Sequence, residues 1–102
     1  NMANEFKRYK STATTSEVVV YTVPSLTTSV IVGLQAANTT TTQESISILL
    51  GTTYLAKDIN IPTGAVMHFL DGKVVAEAGD TISVIASTGS TLDVIISCME
   101  TS

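Results

Sequence analysis

"ESISILL", residues 44–50, is the stretch that predicts the fold class. Its apolar side chains Ile46, Ile48 and Leu50 occupy every second position, and the small polar Ser45 and Ser47 belong to the other face. A period of two is typical of a strand with one face in a core and the other in solvent. We therefore expect a sheet that is covered on one side.

Similar short segments lie on both sides of this strand, separated by turn residues roughly every 8–12 positions. They are "EVVVYTV" (17–23), "VIVGLQAAN" (30–38), "YLAKDI" (54–59), "AVMHFL" (65–70), "KVVAEAGD" (73–80), "TISVIAS" (81–87) and "LDVIISCMET" (92–101). Val, Ile and Thr are abundant, and β-branched residues pack well on a pleated surface. The prediction is an all-β chain that forms an antiparallel β-sandwich, jelly-roll or immunoglobulin-like, with seven to eight strands.

One dipeptide predicts a specific turn. Asp71 and Gly72 stand between two apolar runs, where Asp-Gly favours a tight hairpin with positive φ at both central residues. We therefore expect a hairpin at this point, with Gly72 at positive φ.

Two regions are predicted along the chain. Residues 1–15 show no clean period and are interpreted as an N-terminal arm, in which Asn1 is an added residue before Met2. Residues 16–102 are expected to form a single β-sandwich domain. No apolar stretch approaches the roughly 20 residues that span a bilayer, so no membrane partner is expected. The single cysteine, Cys98, cannot form an internal disulfide.

Positive charge is concentrated in this arm. Lys7, Arg8 and Lys10 are three of the five basic residues in a chain of formal charge −4. Because the rest of the chain is acidic, we expect the arm to dock on a neighbouring subunit or particle, with Phe6 and Tyr9 as apolar anchors. A single short basic cluster on an acidic domain is a poor footprint for nucleic acid, so no nucleic-acid partner is expected. A disordered tail is the alternative.

Two strands are apolar on consecutive positions instead of alternating. "VIA" (84–86) and "VII" (94–96) place Ile85 and Ile95 on faces turned away from the core. A second apolar face has to be covered, and a sister subunit is the simplest cover. The prediction is a homo-oligomer, with a trimer favoured. Burial at a corner of the sandwich is the alternative explanation.

Several motifs resemble those of small virion proteins of tailed phages, particularly phages of marine cyanobacteria. They are "MANEFKRYKS" (2–11), "VVVYTVPSLTTSVIVGLQAANTT" (18–40) and "LAKDINIPTGAVMHFLDGKVVAEAGDTISVIASTGSTLDVIISCMET" (55–101). The resemblance covers nearly the whole chain. It implies a β-sandwich structural or decoration protein of the virion, usually oligomeric, without catalytic residues.

No reactive constellation stands out in the sequence. His68 is the only histidine, and a metal site or a catalytic base would need companions. Cys98 is expected to be a buried small hydrophobe. Four acidic residues close to loops could ligate Ca²⁺, although turn chemistry explains them better: Asp58, Asp71, Glu77 and Asp80. We therefore expect no catalytic residue, no metal site and no cofactor, and an enzyme is the lowest-ranked alternative.

The function expected from the sequence is a phage virion structural protein, at the capsid surface or associated with the tail or neck. It would be made in the host cytoplasm, incorporated into the virion, and would contact copies of itself and other virion proteins. The alternative is a virion module that binds a host-surface glycan. The chain has only five aromatic residues and no tryptophan, so it offers little for a sugar-stacking platform.

Overall fold

The computed structural model describes residues 3–87 and 92–102, and this part of the chain contains nine strands. They are β1 (Asn4–Ala13), β2 (Val18–Thr22), β3 (Thr28–Asn38), β4 (Glu44–Leu50), β5 (Thr53–Ile61), β6 (Val66–His68), β7 (Val74–Ala76), β8 (Thr81–Ala86) and β9 (Leu92–Thr101). Within the described ranges no helix is long and apolar enough to cross a membrane.

The strands form two antiparallel sheets that pack as a sandwich. Sheet A has the order β1-β9-β3-β6, with β7 also paired to β3, and sheet B has the order β2-β8-β4-β5. Consecutive strands alternate between the sheets at the start and the end of the chain, which is the connectivity of a jelly roll. The prediction of an antiparallel β-sandwich is confirmed, with nine strands instead of seven or eight.

The core lies between the two sheets and is built from the inward positions of alternating strands. Ile46 and Ile48 of β4 are buried, as the period of "ESISILL" predicts. They pack in one cluster with Ile31 of β3, Ile82 of β8 and Ile96 of β9. Most of the buried apolar side chains therefore lie between the two sheets.

The "arm" forms part of the sandwich. Residues 4–13, expected to lie outside the domain, are instead a ten-residue strand that pairs with β9 from Asn4↔Thr101 to Ala13↔Leu92. A backbone exchange between Ala3 and Ser102 extends the pairing by one residue. The reason is backbone hydrogen bonding: the long last strand leaves a free edge, and β1 satisfies its N–H and C=O groups.

The predicted hairpin at Asp71 and Gly72 is wrong. β6 and β7 both run antiparallel to β3, β6 opposite its second half and β7 opposite its first half. The chain therefore continues in one direction through Gly72, and positive φ occurs at Gly51, Gly64 and Gly79 instead. Pairing with β3 on both sides of the dipeptide overrides the local turn preference. β6 and β7 are two parts of one interrupted edge.

Candidate functional site: an assembly surface on sheet A

The residues predicted for docking lie on β1, and the strand divides them between its two faces. Phe6, Arg8 and Lys10 share the outer face of sheet A, because side chains alternate along a strand. Lys7 and Tyr9 point to the side of sheet B. Lys7 lies 3.7 Å from the Glu5 carboxylate of its own strand, and both side chains are well exposed.

A continuous apolar row crosses the outer face of sheet A. The register places Phe6 of β1 opposite Met99 of β9, Met99 opposite Val30 of β3, and Val30 opposite Val75 of β7. The two ends of the row are the most open, with Phe6 81% and Val75 59% exposed. Val32, beside a bulge in β3, adds another exposed apolar side chain. We call these four residues, Phe6, Met99, Val30 and Val75, the apolar row.

Polar and charged side chains border the apolar row. Arg8 lies in the next outward-facing position of β1, opposite Ser97 of β9. Lys10 follows, opposite Ile95, which in turn faces Gln35 of β3. An apolar strip beside a basic margin is the usual composition of a protein interface with a polar rim.

Ile85 and Ile95 do face away from the core, but the structure does not bring them together. Ile85 lies on β8 in sheet B, opposite Ser47, and Ile95 lies on β9 in sheet A. They are half-buried and occupy opposite outer faces of the sandwich. Covering both with sister subunits would therefore require two separate contacts, and this stays a prediction.

The four sheet edges differ in regularity. β2 has a register shift between Val19 and Tyr21, and the edge formed by β6 and β7 is interrupted. β5 has two irregularities against β4 and carries Asp58 at φ 50°. β1 pairs with β9 over ten residues without a shift. Bulges and breaks protect an edge from pairing with another chain, so β1 is the edge whose geometry leaves it open to pairing.

The free side of β1 offers a defined set of backbone groups. Ala3 and Ser102 exchange both of their N–H···O=C bonds, at 2.9 and 3.1 Å. In an antiparallel ladder such doubly bonded pairs recur at every second residue. The intervening residues of β1 therefore direct their N–H and C=O groups away from β9, and these are Asn4, Phe6, Arg8, Lys10 and Thr12.

Tyr9 fixes β1 to the second sheet from the inner side. Its ring stacks on Tyr21 of β2 with a centroid separation of 4.4 Å. Both hydroxyls donate to Oε2 of Glu100, at 2.8 Å from Tyr9 and 2.6 Å from Tyr21. Burial, with the Glu100 hydrogen bond second, raises the pKa of Tyr9 to about 12 and also raises that of Tyr21. Tyr9 is thus a structural anchor within its own chain.

The residues considered for chemistry are dispersed. His68 is exposed on β6 beside Gln35, and Cys98 is buried on β9. Among residues 3–87 and 92–102, no group of three His, Cys, Asp or Glu side chains could hold a metal ion. The exposed aromatic residues Phe6 and Tyr54 lie on different sheets and so do not share one platform.

The sequence did not identify three members of the apolar row: Met99, Val30 and Val75. Each lies in a segment that was correctly predicted as a strand. Their alignment depends on how β1, β9, β3 and β7 are paired, and local periodicity carries no information on that register.

Comparisons with known proteins give a fold and no family. No protein-family model matches the sequence, and no curated protein matches it. One similar solved structure is reported with the words "Bacillus endospore appendages form a novel family of disulfide-linked pili". The alignment covers 98% of this chain and 86% of that chain, with a TM-score of 0.56 and 14% identity. At this identity the similarity concerns the fold alone.

Proposed function

We propose that this protein is a non-enzymatic structural subunit that assembles with copies of itself through the outer face of sheet A. The sequence resemblance implies that the assembly belongs to a phage virion, as a capsid decoration or a component of the tail or neck. The observation that carries the proposal is the apolar row, which crosses four strands from Phe6 to Val75 on an outer face.

Isolated apolar side chains on a protein surface need no explanation, but an aligned set does. Four of the five strands of this sheet each contribute one apolar side chain to the row, and both ends are mostly exposed. Removing such a strip from water is favourable at about 25 cal/mol per Å² of apolar area. A second protein surface is the cover that this geometry favours.

The jelly-roll connectivity supports the virion setting by analogy. Viral capsid domains are among the proteins that use this fold. One fold serves many functions, so the analogy adds weight only beside the apolar row and the sequence resemblance.

A second candidate is a subunit of a pilus-like fibre. The observation that favours it is the structural similarity to a protein from disulfide-linked pili of Bacillus endospores. The single thiol of the present sequence, Cys98, is 1% exposed, so it is not available for a bond between folded subunits. Residues 1–102 would therefore join a fibre through non-covalent contacts.

The self-assembly is tested by light scattering of the purified protein at micromolar concentration. We expect a mass above that of one chain, and Val75→Asp should lower it because a charge in an apolar contact is costly. Val19→Asp is the matched control, since Val19 is similarly exposed, at 53% against 59%, but lies on sheet B. A wild-type monomer would contradict the proposal.

The two candidate settings are separated by microscopy. If the protein is a virion component, immunogold labelling with an antibody against it should mark the surface of phage particles that carry its gene. Negative-stain images of the purified protein should show discrete rings or oligomers in that case, and extended filaments if it is a fibre subunit.

A further inference from the structure

We propose that two copies of this chain pair edge to edge through β1, antiparallel, with Phe6 of one copy opposite Phe6 of the other. The inference rests on the proposed self-assembly and specifies its first contact. It goes beyond the apolar row, because it concerns the free backbone groups of an edge strand and commits to one register.

We choose β1 of a second copy as the partner of β1 because the other sheet edges are irregular. Pairing across a new interface needs two regular edges, and β2, β5 and the β6–β7 edge are each shifted or interrupted. β1 alone among the described edges is regular, over Asn4–Ala13. A regular edge that can pair only with its own copy makes an isologous contact about a two-fold axis.

An axis perpendicular to the sheet makes the two β1 strands antiparallel and keeps the outer faces of both copies on the same side. The free N–H and C=O groups belong to the even-numbered residues of β1, as the Ala3–Ser102 exchange shows. Even-numbered residues must therefore face even-numbered residues across the new ladder. This restricts the pairing to registers centred on a residue of β1 itself.

Side-chain charge selects one of these registers. Centres at Glu5, Lys7, Arg8 or Lys10 place like charges directly opposite each other, which is destabilising. A centre at Tyr9 places Arg8 opposite Lys10 twice. A centre at Asn4, Thr12 or Ala13 leaves only one end of the strand to overlap, and a centre at Ser11 brings no opposite charges together.

The centre at Phe6 is free of these conflicts. It places Glu5 of each copy opposite Lys7 of the other, so two pairs of opposite charge form on one face. It places Asn4 opposite Arg8 and brings the two Phe6 rings together on the other face. Phe6 is 81% exposed in the single chain, so a large apolar area is available for this contact.

This register has a structural consequence for the apolar row. The row ends at Phe6, and in the pair it continues into the row of the second copy. Two five-stranded sheets A then form one continuous surface with a single apolar line across it. The pair is closed by its two-fold axis, so it favours even-numbered assemblies over the trimer that the sequence suggests.

Charge reversal tests the register with the dimerisation constant as readout. Lys7→Glu should weaken pairing by about tenfold, because two opposite-charge pairs become two like-charge pairs. The double variant Glu5→Lys/Lys7→Glu should restore the wild-type constant. Lys73→Glu is the matched control, since it makes the same charge change at an exposed position outside β1. Melting curves of all variants verify that the fold is retained.

Cysteine cross-linking tests the same register without relying on charge. Residues in a hydrogen-bonded antiparallel pair have Cα atoms about 5.5 Å apart, within the range that a disulfide spans. Phe6→Cys should therefore give a covalent dimer on mild oxidation. Arg8→Cys should not, because residue 8 faces Asn4 of the other copy. The native thiol, Cys98, is buried and does not compete.

The outcomes separate this inference from the proposed function. Restoration by the double variant together with a Phe6→Cys cross-link would support β1 pairing, and Val75→Asp should then leave the two-copy unit intact. An oligomer that is insensitive to Lys7→Glu and gives no cross-link at position 6 would overturn β1 pairing and leave self-assembly standing. A cross-link at position 8 instead of 6 would overturn the register. A wild-type monomer at all concentrations would overturn both proposals.

Discussion

Tyr9 and Tyr21 stack at 4.4 Å and share one acceptor, with both hydroxyls donating to Oε2 of Glu100. Tyr9 belongs to sheet A and Tyr21 to sheet B, so the cluster connects the two layers where β1 borders β2. We call these three residues the tyrosine clamp. Before Ala13, the other inward-facing positions of the edge strand are polar, namely Glu5, Lys7 and Ser11, so the clamp is its main attachment to sheet B there.

The tyrosine clamp predicts a loss of stability at alkaline pH. The pKa of Tyr9 is about 12 in the folded chain and about 10 when unfolded, so folding favours the protonated phenol. Below pH 10 this contribution is complete. Between about pH 10 and 12 the unfolded state loses its proton first, and the free energy of unfolding falls with pH. Urea unfolding at pH 8, 10 and 11 measures the decline.

Substitution separates the clamp from general alkaline effects. Tyr21→Phe removes a hydrogen bond to a charged group and should cost about 1–3 kcal/mol at pH 8. In Tyr9→Phe the decline above pH 10 should be smaller than in the wild type. Tyr54→Phe, at an exposed tyrosine on β5, is the control and should retain the wild-type profile. The same decline of stability with pH in the wild type, Tyr9→Phe and Tyr54→Phe would contradict the role of the clamp.

Asn38 predicts the largest stability effect of a single polar side chain. It is 1% exposed at the end of β3, and its Nδ2 donates to the carbonyl oxygens of Ile61 and Thr42 at 2.8 and 2.9 Å. Its Oδ1 accepts from the backbone N–H and the hydroxyl of Thr40. One amide thus connects sheet A, sheet B and the loop between β3 and β4.

Asn38→Ala should lower the free energy of unfolding by about 2–3 kcal/mol, because it leaves buried backbone groups without partners. Thermal or urea unfolding measures it. Asn60→Ala, at an exposed asparagine of β5, should change the stability by less than about 0.5 kcal/mol. Similar losses in the two variants would show that the Asn38 network carries no special weight.

The turn glycines give a prediction that reverses the expectation from the sequence. Gly79 adopts φ 87° between β7 and β8, and its N–H donates to the Val23 carbonyl at 3.0 Å. Gly79→Ala should destabilise by about 1 kcal/mol, because a side chain is strained at positive φ. Gly72 lies outside that region of φ, and a Cβ there would meet no atom within 4 Å. Gly72→Ala should therefore be neutral or slightly stabilising. The order of the two melting temperatures decides.

Gly72 also shows why part of the fold could not be predicted. Asp-Gly is a strong local signal for a hairpin, but the pairing of β6 and β7 with the same strand is a long-range choice that two residues do not encode. In "ESISILL" the buried positions of Ile46 and Ile48 were predicted correctly, because alternation reports which side chains face the other sheet. The prediction of a solvent-exposed second face failed, since Ser47 and Leu49 are buried as well.

The candidate surface was predictable only in part. Phe6 and its basic neighbours were singled out by composition, and the structure places them on one edge strand. That strand lacked a recognisable pattern because most of its side chains are exposed on both faces. Its partner, β9, lies at the other end of the sequence, as Asn4↔Thr101 shows, and such a pairing leaves no local trace.

Ile85 and Ile95 provide the last prediction, because they report on opposite faces of the sandwich. Both were expected to be covered by a second copy, and each is half-buried on the outer side of its sheet. The apolar row lies on the same face as Ile95. We therefore expect Ile95→Asp to weaken self-association by about tenfold or more, because an unpaired charge would enter or border the contact. Ile85→Asp, on sheet B, should have little effect on self-association. Melting curves should first show that both variants are as stable as the wild type. The reverse result would mean that copies meet through sheet B, and the assembly surface assigned to sheet A would then be wrong.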